Sequence, residues 1–207
     1  MTTNLFLQTF FAAKAAPTKN IVAVLVVVLL SACTTHIPTQ RSHYNDRVTQ
    51  LSTLTQFALE GRIGLKQNGK GFASGVNWQN SEQQKRFELT GPLGGVHARL
   101  TEDKDGALLD IPDQGSVMSM DAESLLRDHF GWDIPINSLR FWVRGLATPP
   151  LQPLRFDEHG LPATIVEDGW QINYQGWQEI NGLWLPSILE ARRDNFVIKL
   201  SIHDWQF

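Results

Sequence analysis

In the segment Phe57-Ala-Leu-Glu-Gly-Arg-Ile-Gly-Leu65, the spacing of apolar residues changes from that of a helix to that of a strand, which indicates the fold class. Its apolar side chains alternate with Glu60 and Arg62, as they do in a strand that buries one face only. The segments that follow are short and joined by turn sequences, without the long intervening helices of a parallel sheet.

Nine further segments show the same alternation of apolar and polar residues, and a tenth is the short apolar run Val117-Met118. Their apolar positions are Phe72, Val76 and Trp78; Phe87 and Leu89; Val96, Ala98 and Leu100; Leu109 and Ile111; Val117 and Met118; Leu154 and Phe156; Ala163 and Ile165; Trp170, Ile172 and Tyr174; Leu183 and Leu185; and Phe196, Ile198, Leu200 and Ile202. Eleven strand candidates predict a mainly β (α+β) protein with a strongly curved antiparallel sheet or an incompletely closed barrel.

Three segments have the apolar spacing of helices. The first fits residues 43–56, and the second begins at a capping candidate, Asp121, and ends at Gly131. The third lies near residues 135–145, where Asn137 or Ser138 can cap the helix start. We expect these helices to cover the concave side of the sheet.

The N-terminal segment has the layout of a secretory signal peptide, predicted over residues 1–32. Lys14 and Lys19 precede the apolar run Ile21-Val-Ala-Val-Leu-Val-Val-Val-Leu-Leu30, which is about half of the roughly 20 residues that a membrane-spanning helix needs. Leu30-Ser-Ala-Cys33 matches the lipobox of bacterial lipoproteins, and Cys33 is the only cysteine of the chain. An ordinary secretory peptide with a chance cysteine remains the alternative.

An acylated Cys33, carrying N-acyl and S-diacylglycerol groups, predicts a lipid-anchored protein. Thr34 follows it where an aspartate is the usual signal for retention in the inner membrane, so we expect the outer membrane, at its periplasmic face. Residues 33–42 are predicted to be the lipidated N-terminus and a flexible tether. Residues 43–207 are predicted to form one domain.

Charge and motifs exclude several function classes. Removing residues 1–32 takes away two lysines and no acids, so the net charge of −3 becomes −5, which disfavours nucleic acid as a partner. The six histidines stand singly, and neither a zinc signature nor a Gly-x-Ser-x-Gly turn is present. The sequence therefore predicts neither an enzyme nor a metal or nucleotide cofactor.

The loop Gly91-Pro-Leu-Gly-Gly95 carries a leucine at its tip, where a polar residue is the usual choice. Leu93 could fold back on a neighbouring strand, as most loop leucines do. On a protein tethered to a bilayer it could instead enter the acyl region, where full burial contributes about 1.5–3 kcal/mol.

The stretch Ile134-Pro-Ile-Asn-Ser-Leu-Arg-Phe-Trp-Val-Arg-Gly-Leu146 resembles the Pro-x-Asn-Ser-Leu-x-x-Trp-x-x-Gly-Leu segment of the LolB family. The Gly91-Pro-Leu-Gly94 loop is similar to the Asn-Pro-Leu-Gly loop of that family, from which Gly91 departs. The lipobox and the strand meander agree as well. The resemblance covers the chain from Cys33 to the C-terminus.

This resemblance implies an eleven-stranded, incompletely closed sheet with a hydrophobic cavity for acyl chains. It implies a monomeric receptor that accepts substrate lipoproteins from the periplasmic carrier LolA and releases them into outer-membrane lipid, with Leu93 assisting insertion. From strand parity we predict that the cavity is lined by Trp78, Phe87, Leu89, Met118, Trp170 and Ile172. The alternative is a lipoprotein scaffold or assembly factor whose strands pack a solid core and whose surface binds protein partners.

Overall fold

The computed structural model describes residues 40–151, 153 and 155–207, which form one antiparallel sheet and three helices. The helices are α1 (Gln40–Ser52), α2 (Ala122–Phe130) and α3 (Ile136–Trp142). The strands are β1 (Phe57–Gln67), β2 (Lys70–Asn80), β3 (Lys85–Thr90), β4 (Val96–Asp103), β5 (Gly106–Ile111), β6 (Gly115–Ser119), β7 (Arg155–Phe156), β8 (Pro162–Glu167), β9 (Trp170–Ile180), β10 (Leu183–Arg193) and β11 (Phe196–Gln206).

The eleven strands lie in the order β6-β5-β4-β3-β2-β1-β11-β10-β9-β8-β7. Each strand pairs with its sequence neighbour, and β1 pairs with β11, so two meanders join into a single sheet. The edge strands β6 and β7 do not pair with each other, which leaves the barrel incompletely closed. The predicted fold class and strand number are therefore confirmed.

The register explains why the concave face is apolar. Ile63 of β1 is opposite Leu200 of β11, while Leu65 is opposite Phe72 of β2. Because side chains alternate between faces, one register places all inward positions of neighbouring strands on the same side. A bulge follows Glu60, and a side chain at Gly61 would collide with the backbone of Ser201, so the bulge requires glycine.

Helix α2 forms as the sequence predicts. Asp121 caps it by accepting a hydrogen bond from the Ser124 N–H at 2.7 Å, and Gly131 ends it with a positive φ of 70°. This cap lowers the pKa of Asp121, chiefly through the hydrogen bond from the Ser124 backbone.

Two helix predictions need correction. Helix α1 begins at Gln40, inside the predicted tether, and ends at Ser52, because the hydroxyl groups of Ser52 and Thr53 bond back to the last turn. Helix α3 is not capped by Asn137 or Ser138, since its N-cap residue is Pro135. Instead, Glu123 of α2 accepts the Asn137 N–H, so one helix caps the next.

The half of the sheet formed by β8–β11 is filled by side chains from α3. Trp142 lies 5.9 Å from Trp170 of β9 between ring centroids, and Trp170 lies 5.8 Å from Phe196 of β11. The buried carboxylate of Glu167 accepts the Trp142 indole N–H at 3.0 Å and the Thr148 N–H at 3.1 Å. These bonds fix α3 on this half of the concave face.

Helix α1 packs beside the chain that leaves α3. Arg47 is buried and donates to the backbone carbonyls of Arg144 and Trp184, with its guanidinium 4.8 Å from the Trp177 ring. Burial lowers the pKa of Arg47 to about 10. The Tyr44 hydroxyl accepts the Ala147 N–H at 2.9 Å. Polar contacts as well as buried apolar side chains therefore hold helix α1 against the rest of the domain.

Replacing Glu167 by alanine should destabilise the fold by about 2–3 kcal/mol, because two buried N–H donors lose their acceptor. Burial raises the pKa of Glu167, but hydrogen bonds from Thr148, Trp142 and Ser138 outweigh it, so the net pKa is lowered. The Glu167 carboxylate therefore stabilises the folded protein at pH values above the pKa that it has in the unfolded chain. This stabilisation is lost as the pH falls through the lower pKa that it has in the folded protein. Urea unfolding at neutral and acidic pH measures both effects, and a Glu167→Ala midpoint equal to that of the native chain would contradict this role.

Candidate functional site

A cavity of about 60 Å³ lies between the β1–β5 half of the sheet and the cover formed by α2, α3 and their connection. All of its lining residues are aliphatic or aromatic. From the sheet they are Leu59, Ile63, Leu65, Val76, Trp78, Phe87, Leu89, Ala98, Leu100, Leu109 and Leu200, and from the cover Leu126, Phe130, Trp132, Ile134, Ile136 and Leu139.

The lining determines which ligands this cavity favours. It is made of aliphatic and aromatic side chains, so burying a polar group there would cost a hydrogen bond. Burying hydrocarbon is favourable by about 0.8 kcal/mol for each methylene group. A volume of this size has room for about four to six water molecules, so a long acyl chain requires the cover to move outward.

The structure places Trp78, Phe87 and Leu89 on the cavity wall, where strand parity predicts them. Trp78 of β2 is opposite Phe87 of β3, and their ring centroids are 4.4 Å apart. Leu89 is opposite Val76, which also faces the cavity. Their contact with an acyl chain stays a prediction.

Trp170 and Ile172 point inward, as predicted, but they do not line the cavity. Both are buried in the β8–β11 half of the sheet, where Trp142 of α3 occupies the space above Trp170. Strand parity gives the face of a side chain, but it does not reveal which helix packs there.

The placement of Met118 on the cavity wall is wrong. Met118 is opposite Leu108, and its side chain is 74% exposed, whereas the neighbouring Val117 is opposite the buried, cavity-lining Leu109. The inward residue of β6 is therefore Val117, which is still 46% exposed because β6 is an edge strand. The apolar pair Val117-Met118 carries no alternation from which the inward position could be predicted.

The cover residues were not predicted as part of the lining. Leu126 and Phe130 are four residues apart on α2, so their shared helix face is readable from the sequence. Trp132 and Ile134 lie in the irregular connection between the helices, where no period applies. The ring of Trp132 stacks on Phe130 at 4.6 Å and contacts Phe72 at 5.4 Å.

Polar contacts hold the cover at its two ends. At the start of α2, Glu102 of β4 accepts the Ala122 N–H at 3.1 Å and forms an ion pair with Lys85. At the α2–α3 connection, Asp133 forms ion pairs with Arg127 and Arg193. The Lys85–Glu102 pair is mostly buried, whereas Asp133 and Arg127 are about half exposed, and exposed ion pairs contribute only about 0–1 kcal/mol each.

The charge of Asp133 depends on its arginine neighbours. Burial raises its pKa, but the hydrogen bonds and charges of Arg127 and Arg193 outweigh this effect and lower the net pKa. Asp133 is therefore ionised at neutral pH. The polar contacts of the α2–α3 connection therefore cost little to break, although Ile134 is buried, while α3 itself is anchored by the buried Glu167.

Leu93 is fully exposed at the tip of the β3–β4 loop, with 100% of its surface accessible, so it does not fold back. The Gly94 N–H bonds to the Gly91 carbonyl at 3.0 Å, and Gly94 has a positive φ of 81°, which favours glycine. Thr90, the last residue of β3 before the loop, is opposite Gly75 of β2, and Phe72 lies three residues further along β2. Because Phe72 contacts Trp132, the loop and Trp132 lie at the same end of the sheet. The role of Leu93 in membrane insertion stays a prediction.

Other site predictions involve absences or residues that the structure does not describe. Cys33 and the predicted signal peptide lie outside the described residues. Among residues 40–151, 153 and 155–207, no group of three or more His, Cys, Asp and Glu side chains could hold a metal ion. Within the same part of the chain, none of the helices is both long and apolar enough to cross a membrane.

The fold and the cavity define a class of protein in which a half-open antiparallel barrel wraps an apolar interior beneath a helical cover. The model of the family "Outer membrane lipoprotein LolB" matches residues 55–205. The chain therefore belongs to the LolB family of outer membrane lipoproteins.

Relatives agree with this assignment, and a solved structure shares the fold. The chain is 33% identical over 158 residues to the outer-membrane lipoprotein LolB of Pseudomonas putida F1, covering 76% of this chain and 77% of the relative. It is 34% identical to the protein of the same name from Pseudomonas aeruginosa PAO1, with the same coverage. An outer membrane lipoprotein-sorting protein domain from Vibrio parahaemolyticus has the same fold, with a TM-score of 0.52, 10% identity and coverage of 79% of this chain and 90% of that chain.

Replacing Ala98 by leucine should weaken binding of hydrocarbon, because the larger side chain extends from β4 into the cavity. Overpacking of this kind costs about 1–3 kcal/mol of stability, so the protein should still fold. Titration with a fluorescent fatty acid measures the affinity, and Met118→Leu serves as the control because Met118 is exposed and outside the cavity. Equal affinities of the two variants would contradict the assignment of this cavity as the binding site.

Proposed function

We propose that this protein is an outer-membrane receptor that accepts lipoproteins from the periplasmic carrier LolA, holds their acyl chains in the apolar cavity and inserts them into the outer membrane. The main observation behind the proposal is an entirely apolar cavity under a helical cover, together with a fully exposed Leu93 in the β3–β4 loop. Membership in the LolB family supports it.

Acceptance of an acyl chain requires the cover to open. The connection between α2 and α3 is held by exposed ion pairs of Asp133 and by the bond from the Gln67 side chain to the Gly131 carbonyl at 3.2 Å. Helix α3 stays anchored through Trp142 and Glu167. We infer that α2 and the connection swing away from the sheet while α3 remains in place.

Transfer of this kind needs no enzyme activity and no cofactor. Each buried methylene group contributes about 0.8 kcal/mol, so a chain moves spontaneously to whichever site buries it more completely. A bilayer buries an acyl chain entirely, whereas a cavity with a movable cover exposes part of it. The receptor therefore needs only to receive the chain and then lie close to a membrane.

The lipid anchor would provide this closeness. We propose that residues 1–32 are removed, that Cys33 is acylated and inserted at the periplasmic face of the outer membrane, and that the residues up to α1 act as a tether. Leu93 would then enter the acyl region of the same membrane and bring the mouth of the cavity to it. Acyl chains would leave the cavity without crossing water.

The variant Leu93→Glu should fold and accept lipoproteins normally but deliver them poorly to membranes. The side chain is fully exposed, so its replacement does not disturb the core, but a carboxylate cannot enter the acyl region. The assay measures transfer of a radiolabelled lipoprotein from its LolA complex to the acylated protein, with and without liposomes as the final acceptor.

Met120→Glu is the matched control for this assay. Met120 is 91% exposed and follows β6 at the opposite end of the sheet from Leu93, so it should tolerate a charge without loss of delivery. Equal delivery by both variants would contradict the role of Leu93. Failure of the native protein to take lipoprotein from the carrier would contradict the proposed function itself.

A further inference from the structure

A second groove, of about 520 Å³, lies outside the acyl-chain cavity. It runs between α1, the β2–β3 turn and the segment that follows α3, and its walls are partly apolar and partly polar. Tyr44, Phe141 and Leu146 contribute apolar surface, and Asn80 and Ser81 contribute polar surface. The cavity described above and this groove share no lining residue.

Two arginines of this groove have no acidic partner. Arg140 and Arg144 both line it, and neither forms an ion pair within the part of the chain that the structure describes. Their guanidinium groups lie 4.9 Å and 5.3 Å from the ring of Phe141, so one aromatic side chain holds both. Glu82 lines the groove too, which still leaves its wall with net positive charge.

Arg144 is only 7% exposed, so its charge is largely withdrawn from water. Its guanidinium donates to the carbonyls of Leu51, Leu54 and Arg140, whereas its Nη2 donates no hydrogen bond to any described residue. Burial, together with the neighbouring charge of Arg140, lowers the pKa of Arg144 to about 10. A buried cation beside a second cation is costly unless an anion compensates it.

Arg140 has hydrogen-bonding capacity to spare. Its buried Nε forms no hydrogen bond with any described residue, and its terminal nitrogens donate to none either. A carboxylate fits such a guanidinium because the planar fork can donate two parallel hydrogen bonds. Arg140 and Arg144 can therefore donate hydrogen bonds to an anionic group that enters the groove.

The polar wall of the groove points to a ligand that also donates hydrogen bonds. The Asn80 side-chain nitrogen donates to the Thr55 carbonyl at 2.9 Å, which fixes the orientation of the amide. The Asn80 Oδ1 is buried and accepts no hydrogen bond from the described residues. Leaving such an acceptor unsatisfied costs about 1–3 kcal/mol. An N–H group of a ligand would satisfy it.

We propose that this groove binds an extended peptide segment of a partner protein, in which a carboxylate stands next to an apolar side chain. The carboxylate pairs with Arg140 and Arg144, a backbone N–H donates to Asn80, and the apolar side chain packs against Phe141 and Leu146. A lipid hydrocarbon chain fits less well, because it would leave the Asn80 Oδ1 without a hydrogen bond and both arginines without an anion.

The groove and the Leu93 loop lie at opposite ends of β3. The β2–β3 turn that carries Ser81 precedes β3, and the loop that carries Leu93 follows it. Six residues of strand span about 20 Å. A peptide in the groove therefore leaves the Leu93 end free, so partner binding and membrane contact are compatible.

The test compares two peptide libraries for binding to the full chain in a nonionic detergent. One library has the form acetyl-Gly-X-Glu-Z-Gly-amide with apolar residues at X and Z, and the other has glutamine in place of glutamate. Fluorescence anisotropy with an uncharged fluorophore should show preferential, salt-sensitive binding of the glutamate peptides. Equal binding of the two libraries, or no binding by either, would overturn the proposal.

Variants locate the binding site. Arg140→Gln should weaken the glutamate peptides about tenfold, because it removes a charged donor, while Arg140→Lys should retain part of the affinity. Arg62→Gln is the control, since it makes the same charge change at an exposed position on β1. Equal affinities of Arg140→Gln and Arg62→Gln would place binding elsewhere and refute the assignment. Displacement of the peptides by dilute inorganic phosphate would instead reduce the groove to a general anion site.

Discussion

The hydrogen bond from the Trp142 indole to the buried Glu167 carboxylate determines how the concave face is used. It fixes α3 on the β8–β11 half of the sheet, where Trp142 packs against Trp170 and leaves no space for a ligand. The β1–β5 half is covered by α2 and the α2–α3 connection, under which the cavity remains. One half of the sheet is therefore filled by side chains, and the other half encloses the cavity.

Strand alternation predicts most of this architecture. The eleven strands, the open antiparallel sheet and the capped helix α2 are confirmed, because each depends on local periodicity or on a capping residue such as Asp121. Trp78, Phe87 and Leu89 reach the cavity for the same reason. Features that depend on distant contacts could not be predicted in this way.

Three features of the structure could not be predicted from local sequence patterns. Trp170 faces inward, but only the position of Trp142 reveals that its half of the sheet is filled. The prediction that Met118 lines the cavity is wrong, because the apolar pair Val117-Met118 does not alternate and so does not show which residue faces inward. Helix α3 begins without its own side-chain cap because Glu123 of another helix accepts the Asn137 N–H, and no local pattern contains that contact.

The surface features follow from the same division of the sheet. Leu93 lies at the cavity end, while the arginine groove lies at the other end of β3, beside the anchored segment that follows α3. The α2–α3 connection carries the exposed ion pairs of Asp133, whereas α3 is held by the buried hydrogen bond between Trp142 and Glu167. Under the proposed function, this difference lets the cover open without unfolding the core.

If the cavity is the acyl-chain site, hydrocarbon enters the β1–β5 half of the concave face and no other part of the molecule. A palmitate with a diazirine at its methyl end can be photoactivated on the full chain, and the labelled peptides can be mapped by mass spectrometry. We expect labels on peptides that contain cavity residues such as Trp78, Leu100 and Leu126. Labels confined to the β8–β11 half, or to the exposed face around Leu108 and Met118, would contradict it.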